Sequence, residues 1–181
     1  RAPGRKLVLV QAPAGFGKTN LLLQYYQSLQ RQGTSVMWLN LVGADNDLDR
    51  FVLHLHAAYK RMAPRSAVEQ ITDSPGLIEQ LSSHRQPFVL FIDELEVVQS
   101  PSALHFIEQI LDYLPAHSEL VIGTRHVPLI NLGRLRARGQ ILELSHNDLR
   151  LSIEETASIV SKQLKRPVKQ QAINVLHDRT E

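Results

Sequence analysis

The chain of 181 residues contains no cysteine, and only 6% of its residues are aromatic. The absence of cysteine excludes a disulfide framework and a metal site built on thiolates. Long apolar runs are also missing, since the longest, at 7–10 and 88–92, are far shorter than the roughly 20 residues of a membrane-spanning helix. No signal-peptide pattern is present. The net charge of +2 is too small to indicate a nucleic-acid surface. These absences favour a cytoplasmic globular domain that binds no membrane.

A glycine-rich segment near the start of the chain carries the strongest functional signal. Its residues are Ala12, Pro13, Ala14, Gly15, Phe16, Gly17, Lys18 and Thr19, with Asn20 next. An apolar run precedes it and a helical run follows, and this order of strand, loop and helix is typical of a phosphate-binding loop. In such a loop, backbone N–H groups and the helix N-terminus face anionic oxygens. The alternative, a turn rich in glycine by chance, does not explain why both flanks fit.

The last two residues of the motif have predicted roles of their own. We expect Lys18 to reach the β- and γ-phosphates of a nucleotide and the Thr19 hydroxyl to ligate Mg²⁺. The first position of the motif is Ala12 where glycine is usual, but that position needs only a small residue. The motif therefore predicts a site for ATP or ADP with Mg²⁺.

Short β-rich runs alternate with helical runs along the chain, which predicts an α/β fold with a parallel sheet and helices on both faces. Strands are expected near 6–11, 35–41, 87–92, 119–124 and 140–144. Helices are expected at 18–31, 48–62, 75–84, 101–114, 152–164 and 168–178. Strands stop after Leu144 and polar helices follow, split by Arg166-Pro167. We therefore expect a domain over 1–149 and the start of a second, helical unit over 150–181.

A second apolar strand ends in two carboxylates, Asp93 and Glu94. Ligands bind at the carboxyl ends of strands in such sheets, so Asp93 is expected beside the phosphate loop, supporting Mg²⁺. Glu94 is expected to orient or deprotonate the attacking water. Taken alone, the pair would be an acidic turn in solvent, but Lys18 and Thr19 favour the functional interpretation. A glutamate directly after the aspartate favours ATP hydrolysis or ATP-gated switching over transfer to a second substrate.

Basic residues follow the next apolar strand. Arg125 ends it and either contacts the γ-phosphate or is solvated or paired with an acid, and its position alone does not decide between these. Arg134, Arg136 and Arg138 lack interleaved aromatics, so a solvated helix with Leu132 and Leu135 inward is favoured over a nucleic-acid surface. The eight histidines show no metal-ligand spacing and are expected to be structural or exposed.

Several segments together resemble the ATPase domain of MalT-like regulators, the large ATP-binding branch of the LuxR transcription factors, within the STAND class of P-loop NTPases. They are Gln11 to Thr19, Trp38 to Leu41, Asp45 to Asp47 with Arg50 and Phe51, Gly123 to Arg125, Leu135 to Leu144, Asp148 to Arg150, and Asp178 to Glu181. The phosphate loop is generic, whereas the run 135–144 and the ending Asp-Arg-Thr-Glu are more specific. Two departures are Val42, where many relatives have an acid, and Glu94, where many have aspartate.

The resemblance implies more than the composition does. It implies a doubly wound five-stranded sheet of order 5-1-4-3-2, a helical or winged-helix lid after Leu151, and a γ-phosphate sensor role for Arg125. It implies an ATP-binding switch with slow hydrolysis that controls self-association. DNA is expected to bind only through a C-terminal domain absent from this chain. Because the sequence opens at Arg1 without Met and ends at Glu181, we expect a piece of a longer protein, with part of the lid beyond it.

Three other functions remain as alternatives. The first is an ATPase motor or loader of the AAA+ type acting on nucleic acid, which needs rapid, stimulated turnover. The second is a small-molecule kinase, for which the sequence offers no acceptor pocket. The third is a degenerate scaffold without nucleotide, which intact Lys18, Thr19, Asp93 and Glu94 disfavour.

Overall fold

The structure is a computed structural model that describes residues 4–63, 71, 73–164 and 169–180. Within these residues one parallel sheet of five strands forms the centre of the fold. The strands are β1 (Leu7–Gln11), β2 (Ser35–Asn40), β3 (Phe88–Asp93), β4 (Glu119–Thr124) and β5 (Ile141–Leu144). All five predicted strands are present, and the α/β class is confirmed.

The strands lie in the order β2-β3-β4-β1-β5, which is the predicted order 5-1-4-3-2 counted from the other edge. Every pairing is parallel; Val8 on β1 lies opposite Val121 on β4 and Leu142 on β5. Because all strands point the same way, their carboxyl ends meet at one edge of the sheet. The ends of β1, β3 and β4 are therefore neighbours, which brings distant segments of the sequence together.

Helices cover the two faces of the sheet unequally. The described helices are α1 (Lys18–Arg31), α2 (Leu48–Met62), α3 (Ser74–Ser82), α4 (Pro101–Tyr113), α5 (Gly133–Ala137), α6 (His146–Leu149), α7 (Ile153–Leu164) and α8 (Gln170–Thr180). Leu7 and Leu9 of β1 join the core with α2, α3 and α4, whereas Val8 and Val10 join a smaller core with α1. This alternation follows from the two-residue period of a strand. Strands β3 and β4 are buried at every position, as central parallel strands must be.

Local signals account for where several helices begin. The Asp47 carboxylate accepts a hydrogen bond from the backbone N–H of Arg50 at the start of α2. Ser152 and Glu155 form a reciprocal cap before α7. Pro101 occupies the first turn of α4, where its missing N–H costs nothing.

The structure differs from the sequence-based expectation at short elements. Helix α6 and the 3-10 turn at Gly43–Asn46 were not predicted, because one turn is too short to show a helical period. Helix α3 spans Ser74–Ser82 rather than 75–84, since Asp73 caps its start. The predicted break at 166–167 lies outside the described residues. Within those residues, no helix combines the length and apolar character needed to cross a membrane.

Candidate functional site

The phosphate loop of the prediction connects the end of β1 to the start of α1. Gly15 and Gly17 have φ angles of 87° and 77°, a left-handed conformation that glycine adopts without strain. A Cβ at either position would meet no atom within 4 Å, so the backbone conformation and not lack of space requires glycine. The N–H of Ala12 donates to the Thr124 carbonyl of β4 at 3.2 Å, which fixes the loop to the neighbouring strand.

Lys18 lies at the first position of α1 and is 94% buried, with a relative exposure of 6%. Its ammonium donates to the carbonyl oxygens of Ala12 at 2.7 Å and Pro13 at 2.9 Å. The charge is therefore held against the backbone of its own loop. A phosphate oxygen that Lys18 is to bind must compete with these two carbonyl groups.

Thr19 and Asp93, 74 positions apart in the sequence, are in direct contact. The Thr19 hydroxyl donates to Asp93 Oδ2 at 2.7 Å, and Asp93 Oδ1 accepts from the Glu94 N–H at 2.9 Å. Asp93 is fully buried. A hydroxyl and a carboxylate are the hard oxygen ligands that Mg²⁺ takes, and Mg²⁺ keeps several waters beside few protein ligands. Among the described residues no cluster of three or more His, Cys, Asp or Glu is grouped to hold a metal.

Gly123 on β4 makes room for the Asp93 carboxylate. A Cβ at Gly123 would lie 2.4 Å from Asp93 Oδ1 and 3.1 Å from a methyl carbon of Leu22. Any larger residue would push the carboxylate away from Thr19. The sequence did not predict this role, although a glycine inside an otherwise apolar strand is a known sign of close approach.

Arg125 follows β4 and pairs with two acids. Its Nη2 donates to Glu94 Oε2 at 3.3 Å, and its Nε lies 2.6 Å from Glu96 Oε1. Its backbone N–H donates to Glu96 Oε2 at 3.1 Å. Of the two predicted alternatives, the pairing with acid is present, and Arg125 also lines the phosphate-loop cavity. The sequence did not predict a role for Glu96. Its position two residues after Glu94 was the only signal that could have indicated one.

Burial raises the pKa of Glu94 above its ordinary value, and the negative charge of Glu96 raises that pKa further. The positive charge of Arg125 opposes both effects. Glu94 also has a left-handed backbone, with φ 61°, which is uncommon outside glycine. A carboxylate with a raised pKa is a stronger base, which suits a group that takes a proton from water.

A cavity of about 250 Å³ lies between the loop and the ends of β3 and β4. It is lined by Ala14, Gly15, Gly17, Lys18, Thr19, Asn20, Glu94 and Arg125. All eight belong to the set predicted from the sequence. Ala12 and Pro13 support the cavity through the carbonyl groups that hold Lys18, Asp93 supports it through Thr19, and Phe16 turns to the other side of the loop.

A larger cavity of about 860 Å³ adjoins the first on the Phe16 side of the loop. Its other walls come from the chain after β5, with apolar Leu149 and Ile159 beside polar Asp148 and Glu155. The Phe16 ring meets His146 edge-on, with ring centres 6.2 Å apart. The sequence did not predict these wall residues, and the change of composition after Leu144 was the only signal near them.

The basic cluster lies apart from these cavities, and none of the described histidines lines either of them. Leu132 and Leu135 are buried, so α5 has the predicted inward face. Arg134 pairs with Asp112, and Arg136 pairs with Glu143 through two contacts of 2.6 and 3.0 Å. The sequence predicted a solvated helix, and both arginines are exposed, but each also pairs with an acid that the sequence did not predict.

Two curated proteins match the chain over most of its length. The serine/threonine-protein kinase PknK of Mycobacterium tuberculosis is 28% identical over 174 residues, which cover 89% of the chain. The transcriptional regulator MalT of Cronobacter sakazakii is 26% identical over 189 aligned positions, which cover 98% of the chain. The chain is a homologue of MalT. This confirms the resemblance on which the sequence-based prediction relied, although no family model matches the chain.

Solved structures agree with the fold of this MalT homologue. Cdc6p of Pyrobaculum aerophilum superposes with a TM-score of 0.58 and 19% sequence identity. The superposition covers 91% of this chain and 45% of the Cdc6p chain. DnaA of Aquifex aeolicus, solved with AMPPCP, covers 97% of the chain and 50% of its own, with a TM-score of 0.51 and 14% identity. The chain therefore has the fold of a P-loop ATPase domain. It spans 16% of the length of PknK and 20% of that of MalT.

Proposed function

We propose that the chain binds ATP as a regulatory switch and hydrolyses it slowly, and that the bound nucleotide controls self-association of a longer MalT-like regulator. The observation that carries this proposal is the contact of Thr19 with Asp93 in the wall of a cavity that Lys18 and Arg125 also line. Anion-binding groups and hard metal ligands meet there, as Mg²⁺-nucleotide binding requires.

Each predicted site residue has a role in this proposal. Backbone N–H groups of residues 14–17, with Asn20 at the start of α1, surround the phosphates, while Ala12 and Pro13 contribute through the carbonyl groups that hold Lys18. Lys18 leaves the Ala12 and Pro13 carbonyl groups to bind the β- and γ-phosphates. Thr19 and Asp93 would hold Mg²⁺, which would supply positive charge against the negative charge that develops on the transferred phosphoryl group.

Hydrolysis in this proposal uses Glu94 and Arg125. Glu94 takes a proton from a water whose oxygen attacks the γ-phosphorus, and the bond to the β-bridging oxygen breaks, giving ADP and inorganic phosphate. Arg125 contacts the γ-phosphate and so distinguishes ATP from ADP. An Arg125→Ala change should therefore weaken ATP binding more than ADP binding.

The nucleoside occupies the larger cavity in this proposal, between Phe16 and the wall formed by Leu149 and Ile159. This wall belongs to residues 150–181 and to the end of the preceding unit, so the second unit acts as the start of a lid over the nucleotide. The size of the cavity and its mixture of apolar and polar side chains suit a base and ribose.

The test is calorimetric titration of the purified chain with ATP and with ADP, each with and without Mg²⁺, followed by phosphate release with and without DNA. We expect saturable binding of both nucleotides, ATP binding that depends on Mg²⁺, and slow turnover that DNA does not change. Rapid turnover stimulated by DNA would instead support the AAA+ motor. Absence of binding to either nucleotide would contradict both functions.

A further inference from the structure

Glu96 contacts Arg125 at two points and does not itself line the phosphate-loop cavity. One carboxylate oxygen accepts from the Arg125 backbone N–H at 3.1 Å, and the other lies 2.6 Å from Nε. Arg125 lines the cavity, whereas Glu96 does not. The third contact of the arginine, from Nη2 to Glu94, is longer, at 3.3 Å, and lies at the cavity wall.

The acid is more firmly placed than the arginine that it holds. Glu96 belongs to a 3-10 turn, Leu95–Val97, whose flanking side chains Leu95 and Val98 are buried in the core. The side chain of Glu96 is 11% exposed, and that of Arg125 is 46% exposed. The contact with Nε is an ion pair and not an aligned hydrogen bond, since Glu96 Oε1 has no hydrogen-bond partner among the described residues. A carboxylate that hydrogen-bonds the backbone N–H and pairs with Nε restricts the side-chain freedom of Arg125 near its Cα. Its outer nitrogen atoms keep the freedom to change partner.

We propose that Glu96 is a positioning residue that orients Arg125 towards the γ-phosphate. Glu96 keeps its two contacts when ATP binds, and Nη2 exchanges the Glu94 carboxylate for a γ-phosphate oxygen. The exchange has a second consequence, because it releases Glu94 to act on water only when a γ-phosphate is present. This inference rests on the proposed function, since it needs ATP in the cavity.

A purely electrostatic role for Glu96 makes the opposite prediction. A carboxylate near a polyphosphate repels it, so removing the charge would strengthen ATP binding. The positioning role predicts weaker ATP binding whenever the carboxylate fails to reach Arg125. Glu96→Asp keeps the charge and shortens the reach, whereas Glu96→Gln keeps the length and removes the charge.

The test compares ATP and ADP dissociation constants, measured by calorimetry, for the chain and its Glu96→Asp, Glu96→Gln and Arg125→Ala variants and the double variant Glu96→Asp/Arg125→Ala. We expect both Glu96 variants to weaken ATP binding roughly three- to tenfold and to leave ADP binding unchanged. Glu96→Asp should add nothing once Arg125 is alanine. Glu79→Asp, a change in an exposed acid of α3, is the matched control and should alter neither constant.

The outcomes separate this inference from the proposed function. Selective loss of ATP affinity in Arg125→Ala with no effect of Glu96→Asp would overturn the role of Glu96 alone. Stronger ATP binding in Glu96→Gln, or equal losses for ATP and ADP, would also overturn it. No binding by the unaltered chain would overturn both proposals. Thermal melting checks that each variant folds. If Glu96→Asp does not fold, the ATP and ADP dissociation constants of Glu96→Gln test the role of Glu96 instead.

Discussion

In the proposed function, phosphate binding depends most directly on Lys18. The lysine is buried, and its ammonium donates to the carbonyl groups of Ala12 and Pro13 in its own loop. To bind a nucleotide, it must exchange these two acceptors for a phosphate. A phosphate carries a full negative charge, which favours this exchange.

We predict that Lys18→Ala abolishes measurable binding of both ATP and ADP, because both nucleotides carry the β-phosphate that Lys18 contacts. Calorimetric titration measures the affinities. Lys60→Ala, which removes an exposed lysine of α2, is the control and should bind as the unaltered chain does. Unchanged affinities in Lys18→Ala would show that the phosphates bind elsewhere.

Glu94 differs from Asp93 in its position and expected task. Asp93 is buried and bonded to Thr19, whereas Glu94 lines the cavity and has a raised pKa. We predict that Glu94→Gln retains ATP but lowers the rate of phosphate release by a factor on the order of 10²–10⁴, the usual contribution of a general base. Single-turnover phosphate release measures this. Glu79→Gln is the control, and an undiminished rate in Glu94→Gln would remove Glu94 from the mechanism.

At the scale of elements, the contact between β3 and β4 decides the position of the Asp93 carboxylate. Gly123 on β4 leaves space that the Asp93 carboxylate of β3 fills. We predict that Gly123→Ala displaces Asp93, destabilises the fold by about 1–3 kcal/mol through overpacking, and reduces the dependence of ATP binding on Mg²⁺. Chemical denaturation and titration with and without Mg²⁺ measure these effects.

Gly43→Ala is the matched control for that prediction, because a Cβ at Gly43 meets no atom within 4 Å. It should change neither the stability nor the dependence on Mg²⁺ by a comparable amount. If Gly123→Ala binds ATP with full Mg²⁺ dependence, then the position of the Asp93 carboxylate does not determine how ATP binding depends on Mg²⁺.

His84, which follows α3, is a titratable residue that contacts Tyr59 of α2. His84 Nδ1 lies 2.9 Å from the Tyr59 hydroxyl, and its ring packs edge-on against Phe88. Burial lowers the pKa of His84 below its ordinary value of 6.5. The folded chain therefore binds this proton more weakly than the unfolded chain. The stability that this difference provides is complete above about pH 6.5 and is lost as the pH falls towards the lower folded value.

We predict that the midpoint of thermal unfolding falls on acidification below about pH 6.5, and that His84→Gln reduces the fall. Melting curves between neutral and acidic pH measure both. His105→Gln is the control, since His105 is exposed on α4 and 67% of its side chain is accessible. An unchanged pH dependence in His84→Gln would assign the acid sensitivity to other groups.

At the scale of the whole molecule, the parallel sheet gathers the site. Residues from the ends of β1, β3 and β4 and from the start of α1 meet at one edge, although they are spread over more than 100 positions of the sequence. In the proposed function, a nucleotide bound at that edge would contact several elements at once. Ligand binding to the folded state should therefore stabilise the entire domain and not only the loop.

We predict that ATP with Mg²⁺ raises the unfolding free energy by about 2.7 kcal/mol at a ligand concentration one hundred times Kd. The thermal midpoint should rise correspondingly and continue to rise with concentration. Thermal melting with and without ATP measures this shift, and Lys18→Ala should abolish it. A shift that survives in Lys18→Ala would arise from binding outside the phosphate loop.

Short-range patterns explain why the residues that line the phosphate-loop cavity could be predicted from the sequence. The loop, residues 12–19, is one contiguous segment of the sequence, and the pair Asp93 and Glu94 is another. An apolar strand directly precedes each segment. Glu96 and Gly123 were not predicted, because the role of each depends on a partner from another strand. Helix α6 was missed for a different reason, since its four residues are shorter than the pattern by which helices are recognised.

The sequence by itself determined the alternation of strands and helices, the caps at Asp47 and Ser152, and the phosphate loop with its two special glycine positions. These properties depend on residues within a few positions of one another. Only the tertiary structure decided which acids hold Arg125, that Gly123 makes room for Asp93, and which residues after β5 wall the larger cavity. Such contacts join segments far apart in the chain, and the packing of parallel strands, not any local pattern, brings them within bonding distance.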